Sequence, residues 1–109
     1  MGDAVLLWEV APGGRTGTYT ARRTAAGGVE FVVTSTEKFP ARALDPTLHV
    51  GAVQVTDYRY GDKANKILIF RLPDASRLED GAAVYVQYGN DQKSRLDLPA
   101  LRLDAITPP

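Results

Sequence analysis

The 109-residue chain contains no cysteine. That absence excludes disulfide bonds, thiolate metal sites and cysteine nucleophiles. No run of about 18 apolar residues occurs, so the sequence predicts no membrane-spanning helix and no membrane insertion. The first ten residues, MGDAVLLWEV, have neither a basic region nor a long apolar segment. We therefore expect no signal peptide in this chain. These features do not determine the cellular compartment in which the protein works.

Neither sign of charge is in excess, because 13 Lys and Arg residues balance 13 Asp and Glu residues. Proteins that bind nucleic acid usually carry clustered cations that neutralise phosphates. Arg22 and Arg23 form the clearest basic spot, and two adjacent arginines are typical of a solvated strand edge. The sequence therefore predicts no nucleic-acid partner.

Short apolar patches recur about every ten residues between turn signals, which is the spacing of a β-rich domain. No window shows the i, i+3, i+4 apolar stripe of a long helix. The length and an apolar share of 44% suit one domain, over residues 1–109, with a real core. The pattern predicts an all-β fold, an antiparallel β-sandwich of seven or eight strands with an immunoglobulin-like architecture. A small β-barrel is the alternative.

The order of turn signals makes two local predictions. The threonine-rich segment 16–21 has a modest apolar face, which is typical of an edge strand, and Gly27-Gly28 joins it to the next strand as a hairpin. Segment 47–60 is long for one strand, and its apolar positions change parity. Either a bulge at Gly51 or a strand that changes sheets would explain that change.

Alternation of apolar residues also predicts the core and the final strand. We expect eight side chains to lie between the two sheets: Leu6, Trp8, Phe31, Val33, Ile67, Ile69, Val84 and Val86. Leu101, Leu103 and Ala105 alternate and predict a last strand. Pro99 precedes it, as a break on an edge strand would.

The segment LEDGAAVYV, residues 78–86, follows the apolar strand 67–72. It resembles a pattern of immunoglobulin-like and fibronectin type III-like domains, including bacterial ones, in which a Leu, a polar turn with Gly and an aromatic precede an alternating strand. The resemblance places Tyr85 near the corner where such folds hold a structural tyrosine. The resemblance concerns architecture, which hosts many functions. Because rigid strands with short turns suit such a role and no active-site constellation competes with it, we expect a non-catalytic accessory, spacer or protein-interaction module of a larger extracytoplasmic protein. The cysteine pair and central tryptophan of antibody domains are missing.

Residues that carry chemistry are few. His49 is the single histidine, and no Gly-x-Ser-x-Gly motif accompanies it. We expect His49 to be a partly exposed strand residue, because a catalytic histidine needs an orienting partner. The sequence therefore predicts that the protein is not an enzyme, with a small hydrolase or a fragment of one as an alternative.

Oxygen ligands for calcium are grouped only loosely. Asp57, Asp62 and Asn65 flank one predicted turn, and calcium binds several oxygens that converge from adjacent loops. The spacing matches no EF-hand, and Asp and Asn are ordinary turn residues. These three residues are weak calcium candidates, and we expect no metal and no cofactor.

A candidate binding site lies at Tyr58, Arg59 and Tyr60. The two tyrosines share parity, so both side chains leave the same face of a strand. Exposed tyrosines anchor protein partners or stack on sugar rings, whereas tyrosines at a core rim keep only their hydroxyls wet. We expect a protein partner or a neighbouring domain here. The alternative is a carbohydrate-binding module that uses the exposed tyrosines.

Overall fold

Two antiparallel sheets of four strands each pack together in the computed structural model, which describes residues 17–36, 39, 45–88 and 95–109. In chain order the strands are β1 (Gly17–Arg23), β2 (Val29–Ser35), β3 (Pro46–Val50), β4 (Val53–Val55), β5 (Tyr58–Tyr60), β6 (Ile67–Leu72), β7 (Val84–Tyr88) and β8 (Arg95–Leu98). Sheet A has the order β1-β2-β6-β5, and sheet B has the order β4-β3-β7-β8. The predicted all-β antiparallel sandwich is confirmed, and the two separate sheets favour it over a barrel.

Strand β1 lies at the edge of sheet A and forms a hairpin with β2, as the glycine pair predicted. Gly27 has φ +90°, a conformation that side chains disfavour. Gly28 lies so close to the end of β6 that a Cβ there would clash with the Leu72 carbonyl oxygen. Thr24 closes the loop, because its Oγ1 accepts a hydrogen bond from the Gly28 amide at 3.0 Å.

The long segment 47–60 divides into three strands. Strands β3 and β4 form a hairpin in sheet B whose turn begins at Gly51, with φ +60°. A positive φ at the first turn position is characteristic of two-residue hairpin turns. The chain then leaves sheet B after Val55 and enters sheet A at Tyr58. The predicted change of sheets is confirmed, and Gly51 is a turn residue rather than a bulge.

The inward faces of both sheets form one core. Phe31, Val33, Val84 and Val86 are buried as predicted, whereas Leu6 and Trp8 lie outside the described residues. The prediction for β6 was wrong, because Leu68 and Phe70 are fully buried and Ile67 and Ile69 are only half-buried on the opposite face. Strand β6 is central in sheet A and apolar on both faces, so its pattern does not determine which side faces inward. The register decides, since Phe70 lies opposite Phe31 and Leu68 lies opposite Val33.

The predicted final strand was also wrong. Leu101 is buried, but Leu103–Ala105 forms a short 3₁₀ helix, η1. The Leu103 amide donates to Asp80 Oδ1 at 2.8 Å, and the Ala105 amide donates to the Arg102 carbonyl at 3.0 Å. These hydrogen bonds hold the chain in a helical turn, which the alternation of apolar residues did not predict. None of the helical structure in the described residues is long and apolar enough to cross a membrane.

Candidate functional site

Strand β5 carries the predicted site residues, and its two tyrosines face the core. Tyr58 lies opposite Phe70 and Tyr60 opposite Leu68, and directly opposed residues share one face of a sheet. The two tyrosine rings form an edge contact with centroids 6.2 Å apart, and both rings are half-buried. The predicted common parity is therefore confirmed, and the shared face is the inner one.

The hydroxyls of these tyrosines join the two sheets. Tyr58 donates a hydrogen bond to Asp45 Oδ1 at 2.9 Å, and the Tyr60 hydroxyl lies 3.2 Å from that of Tyr88. Tyr88 belongs to sheet B and is almost completely buried. Its burial, followed by the hydrogen bond to Tyr60, raises the pKa of Tyr88 far above its usual value, so the phenol stays neutral. We call Asp45, Tyr58, Tyr60 and Tyr88 the tyrosine clasp.

Arg59 points away from the clasp, because successive side chains of a strand alternate between faces. It lies opposite Ile69, on the outer face of sheet A, and its side chain is 56% exposed. Its Nη2 is 3.7 Å from Glu30 Oε2, while Arg22 Nη2 is 3.7 Å from Glu30 Oε1. The structure therefore separates Arg59 from Tyr58 and Tyr60, and it groups Arg59 with charged residues of β1 and β2.

The centre of this outer face is apolar. Val32 lies opposite Ile69, Ile67 occupies the adjacent row, and all three side chains are half-buried. The isoleucines lean over Gly61, where a Cβ would approach Ile67 Cγ2 to 2.7 Å. The exposed Arg71 lies opposite Glu30, so Arg22, Glu30 and Arg71 form a charged row beside Val32 and Ile69. We call these seven residues the docking face: Arg22, Glu30, Val32, Arg59, Ile67, Ile69 and Arg71.

The outer face of sheet B carries a second ordered group. His49 of β3 stacks on Tyr85 of β7 with ring centroids 4.5 Å apart and an interplanar angle of 7°. From β8, on the other side of β7, the Arg95 guanidinium carbon lies 3.8 Å from the Tyr85 ring centroid. Arg95 Nε also contacts Asp97 Oδ1 at 2.7 Å. This stack orders Tyr85 from the strands on both sides of β7.

The chemistry of His49 follows from that stack. Partial burial and, to a lesser degree, the Arg95 guanidinium lower the pKa of His49, since both disfavour the protonated ring. The predicted partly exposed strand position of His49 is confirmed. Tyr85 is the second residue of β7 and lies half-buried on the outer face, whereas the fully buried tyrosine of β7 is Tyr88.

Two of the three weak calcium candidates, Asp62 and Asn65, lie in the β5–β6 turn, whereas Asp57 precedes β5, where its carbonyl accepts a hydrogen bond from the Arg71 amide at 3.0 Å. Asp62 Oδ1 accepts hydrogen bonds from the amides of Lys66 and Ile67, both at 3.0 Å. Asn65 adopts a positive φ of 60°, which asparagine tolerates better than most residues. Within the described part of the chain, no group of three or more His, Cys, Asp or Glu residues is placed to hold a metal ion.

The docking face was missed at the sequence level, apart from Arg59. One signal was available: β6 is apolar on both faces, and only one face can lie in the core of a two-sheet fold. Comparison of the chain with protein-family models, curated proteins and solved structures gave no match. Function is therefore argued from the geometry of these surfaces alone.

Proposed function

We propose that this domain is a non-catalytic protein-interaction module that binds its partner through the docking face. The observation that carries the proposal is the half-buried apolar group of Val32, Ile67 and Ile69 on the outside of sheet A, which three arginines border at one end and along one side. Protein interfaces typically combine a desolvated apolar centre with a polar rim, and arginine is enriched in them.

The rim also defines the partner's chemistry. Arg22 and Arg71 lie in the row next to Val32 and Ile69, with Glu30 between them, and Arg59 lies beside Ile69. This part of the face is therefore positive, although the whole chain is neutral. Glu30 is only 16% exposed, but the side chains of Arg22 and Arg59 are more than half exposed and lie 3.7 Å from it. Largely solvated guanidinium groups gain little from such ion pairs, so they can also bind partner carboxylates. The matching surface is a protein with an apolar centre and an acidic rim.

The domain also has a proposed place within a larger protein. We infer a spacer or accessory domain of a larger extracytoplasmic bacterial protein with an immunoglobulin-like or fibronectin type III-like architecture. Two packed antiparallel sheets support it, and the neighbouring domain of such a protein would be a natural partner. The inward rings of Tyr58 and Tyr60 give little support to a carbohydrate platform. Stacking of His49 on Tyr85 supports a structural rather than a hydrolytic role.

Photo-crosslinking tests the docking face directly. A benzophenone amino acid is placed at position 32, and separately at exposed Ala52 as the control, and each protein is added to an extract of the source organism. We expect a crosslinked protein from position 32 that excess wild-type domain competes away. That protein, once purified, should bind the domain with an affinity that falls as salt rises.

Matched variants decide the outcome. We expect the Val32→Thr/Ile69→Thr double variant and Arg59→Glu each to weaken binding by about tenfold or more, which corresponds to ~1.4 kcal/mol. Arg77→Glu, in a loop outside the docking face, should bind like wild type. The proposal is wrong if position 32 yields no competed crosslink, or if the captured protein binds all variants equally.

A further inference from the structure

The edge of β1 that faces away from β2 presents backbone hydrogen-bonding groups. The Thr24 amide donates to the Gly28 carbonyl at 3.0 Å, which directs the backbone groups of even-numbered β1 residues toward β2. Odd-numbered residues therefore direct their amides and carbonyls away from the sheet. The Arg23 amide confirms this alternation, because it donates to the Thr107 carbonyl at 2.7 Å.

Only part of this edge is covered by the C-terminal segment. Thr107 forms a parallel bridge with β1, in which its amide donates to the Ala21 carbonyl at 2.9 Å. The row stops there, because the preceding residues turn into η1. Upstream of the bridge, the Ala21 amide and both backbone groups of Tyr19 have no hydrogen-bond partner among the described residues.

A cleft of about 280 Å³ opens beside these same groups. The side chains of Ala21, Leu101 and Ile106 in its lining are buried and apolar, and Ala100 at its wall is exposed. Backbone donors and acceptors next to an apolar cleft match the two parts of an extended peptide: its main chain and one side chain.

The charges around the edge are mainly positive. Arg102 lines the cleft, and Arg23 follows at the end of β1; both are exposed, while Asp104 lies 3.9 Å from Arg102. Carboxylates on an incoming segment would therefore meet the guanidinium groups of Arg102 in the cleft wall and of Arg23 at the end of β1.

We propose that the free part of the β1 edge binds an extended segment of a partner protein, which adds to sheet A as a strand, places one apolar side chain in the cleft and carries acidic residues beside it. This edge site is separate from the docking face, and it does not depend on the proposed function there. Recognition comes from main-chain hydrogen bonds, whereas the cleft and the arginines supply sequence preference.

Selection from a phage-displayed random octapeptide library tests the site, with wild-type protein immobilised. We expect enriched peptides to contain an apolar residue with acidic neighbours. Purified peptides should bind Ala100→Trp, which fills the cleft, at least tenfold more weakly than wild type. Ala52→Trp, in an exposed turn elsewhere, and Arg59→Glu, in the docking face, should bind like wild type.

Two further measurements identify strand addition and guard against a misfolded variant. N-methylation of alternate peptide amides should abolish binding at one parity and spare it at the other, since only one edge of the added strand meets β1. The Tyr19 and Ala21 amides of wild type should exchange hydrogen faster than those of Thr20 and Arg22, and slow down with peptide bound. No enrichment, equal binding to folded Ala100→Trp, or unchanged amide exchange would each overturn the proposal.

Discussion

Adjacent residues of β6 offer a sharp test of the fold, because one faces the core and the other faces outward. Leu68 is 0% exposed and lies among core side chains, whereas Ile69 is half-buried on the docking face. Truncation of a fully buried leucine to alanine costs about 3–5 kcal/mol, through lost burial and the cavity left behind. The same truncation at Ile69 removes partly exposed area and some strand propensity, which amounts to ~1 kcal/mol.

Urea unfolding followed by far-UV circular dichroism measures both variants, with thermal melts as a second readout. For a domain of this size, 1 kcal/mol corresponds to roughly 4 °C in Tm. We therefore expect Leu68→Ala to lower Tm by ~12–20 °C and Ile69→Ala to lower it by ~4 °C. An Ile69→Ala variant that loses as much stability as Leu68→Ala would refute the register of β6 and, with it, the docking face.

Three further predictions concern single contacts. In the tyrosine clasp, Tyr60→Phe and Tyr88→Phe should each cost ~1 kcal/mol in urea unfolding, and the double variant should cost less than the sum. The only histidine resonances should titrate below about 6.5, and Arg95→Gln should raise that pKa. Because the folded pKa of His49 is lowered, its contribution to stability is full above the unfolded value and is lost as pH falls through the folded value. Gly28→Ala should lower Tm more than a typical surface substitution does, since its Cβ would meet the Leu72 carbonyl oxygen.

Local patterns predicted those parts of the fold that depend on neighbours in sequence. The glycine pair after the threonine-rich strand predicted the β1–β2 hairpin, and the change of parity in segment 47–60 predicted a change of sheets. The face of β6 was not predictable in this way, because both of its faces are apolar and only its pairing with β2 selects one.

The candidate surfaces required pairing between distant strands. His49 meets Tyr85 only because β3 and β7 pair in one register, across 36 positions of sequence (85 minus 49). Arg59 was identified from its position between two tyrosines, yet its partners are Glu30 and the apolar row of the docking face. Parity shows that neighbouring residues face opposite ways, but it does not show which face is inside.

The bridge between β1 and Thr107 has a mechanical consequence. Gly17 begins β1, and the chain at Thr107 forms a parallel bridge with that strand. Two hydrogen bonds join them: the Arg23 amide donates to the Thr107 carbonyl at 2.7 Å, and the Thr107 amide donates to the Ala21 carbonyl at 2.9 Å. When tension is applied between Gly17 and Thr107, it pulls the two segments past each other along their length. Both bonds then carry the load together in shear, instead of breaking one after the other as they would if the strands were peeled apart.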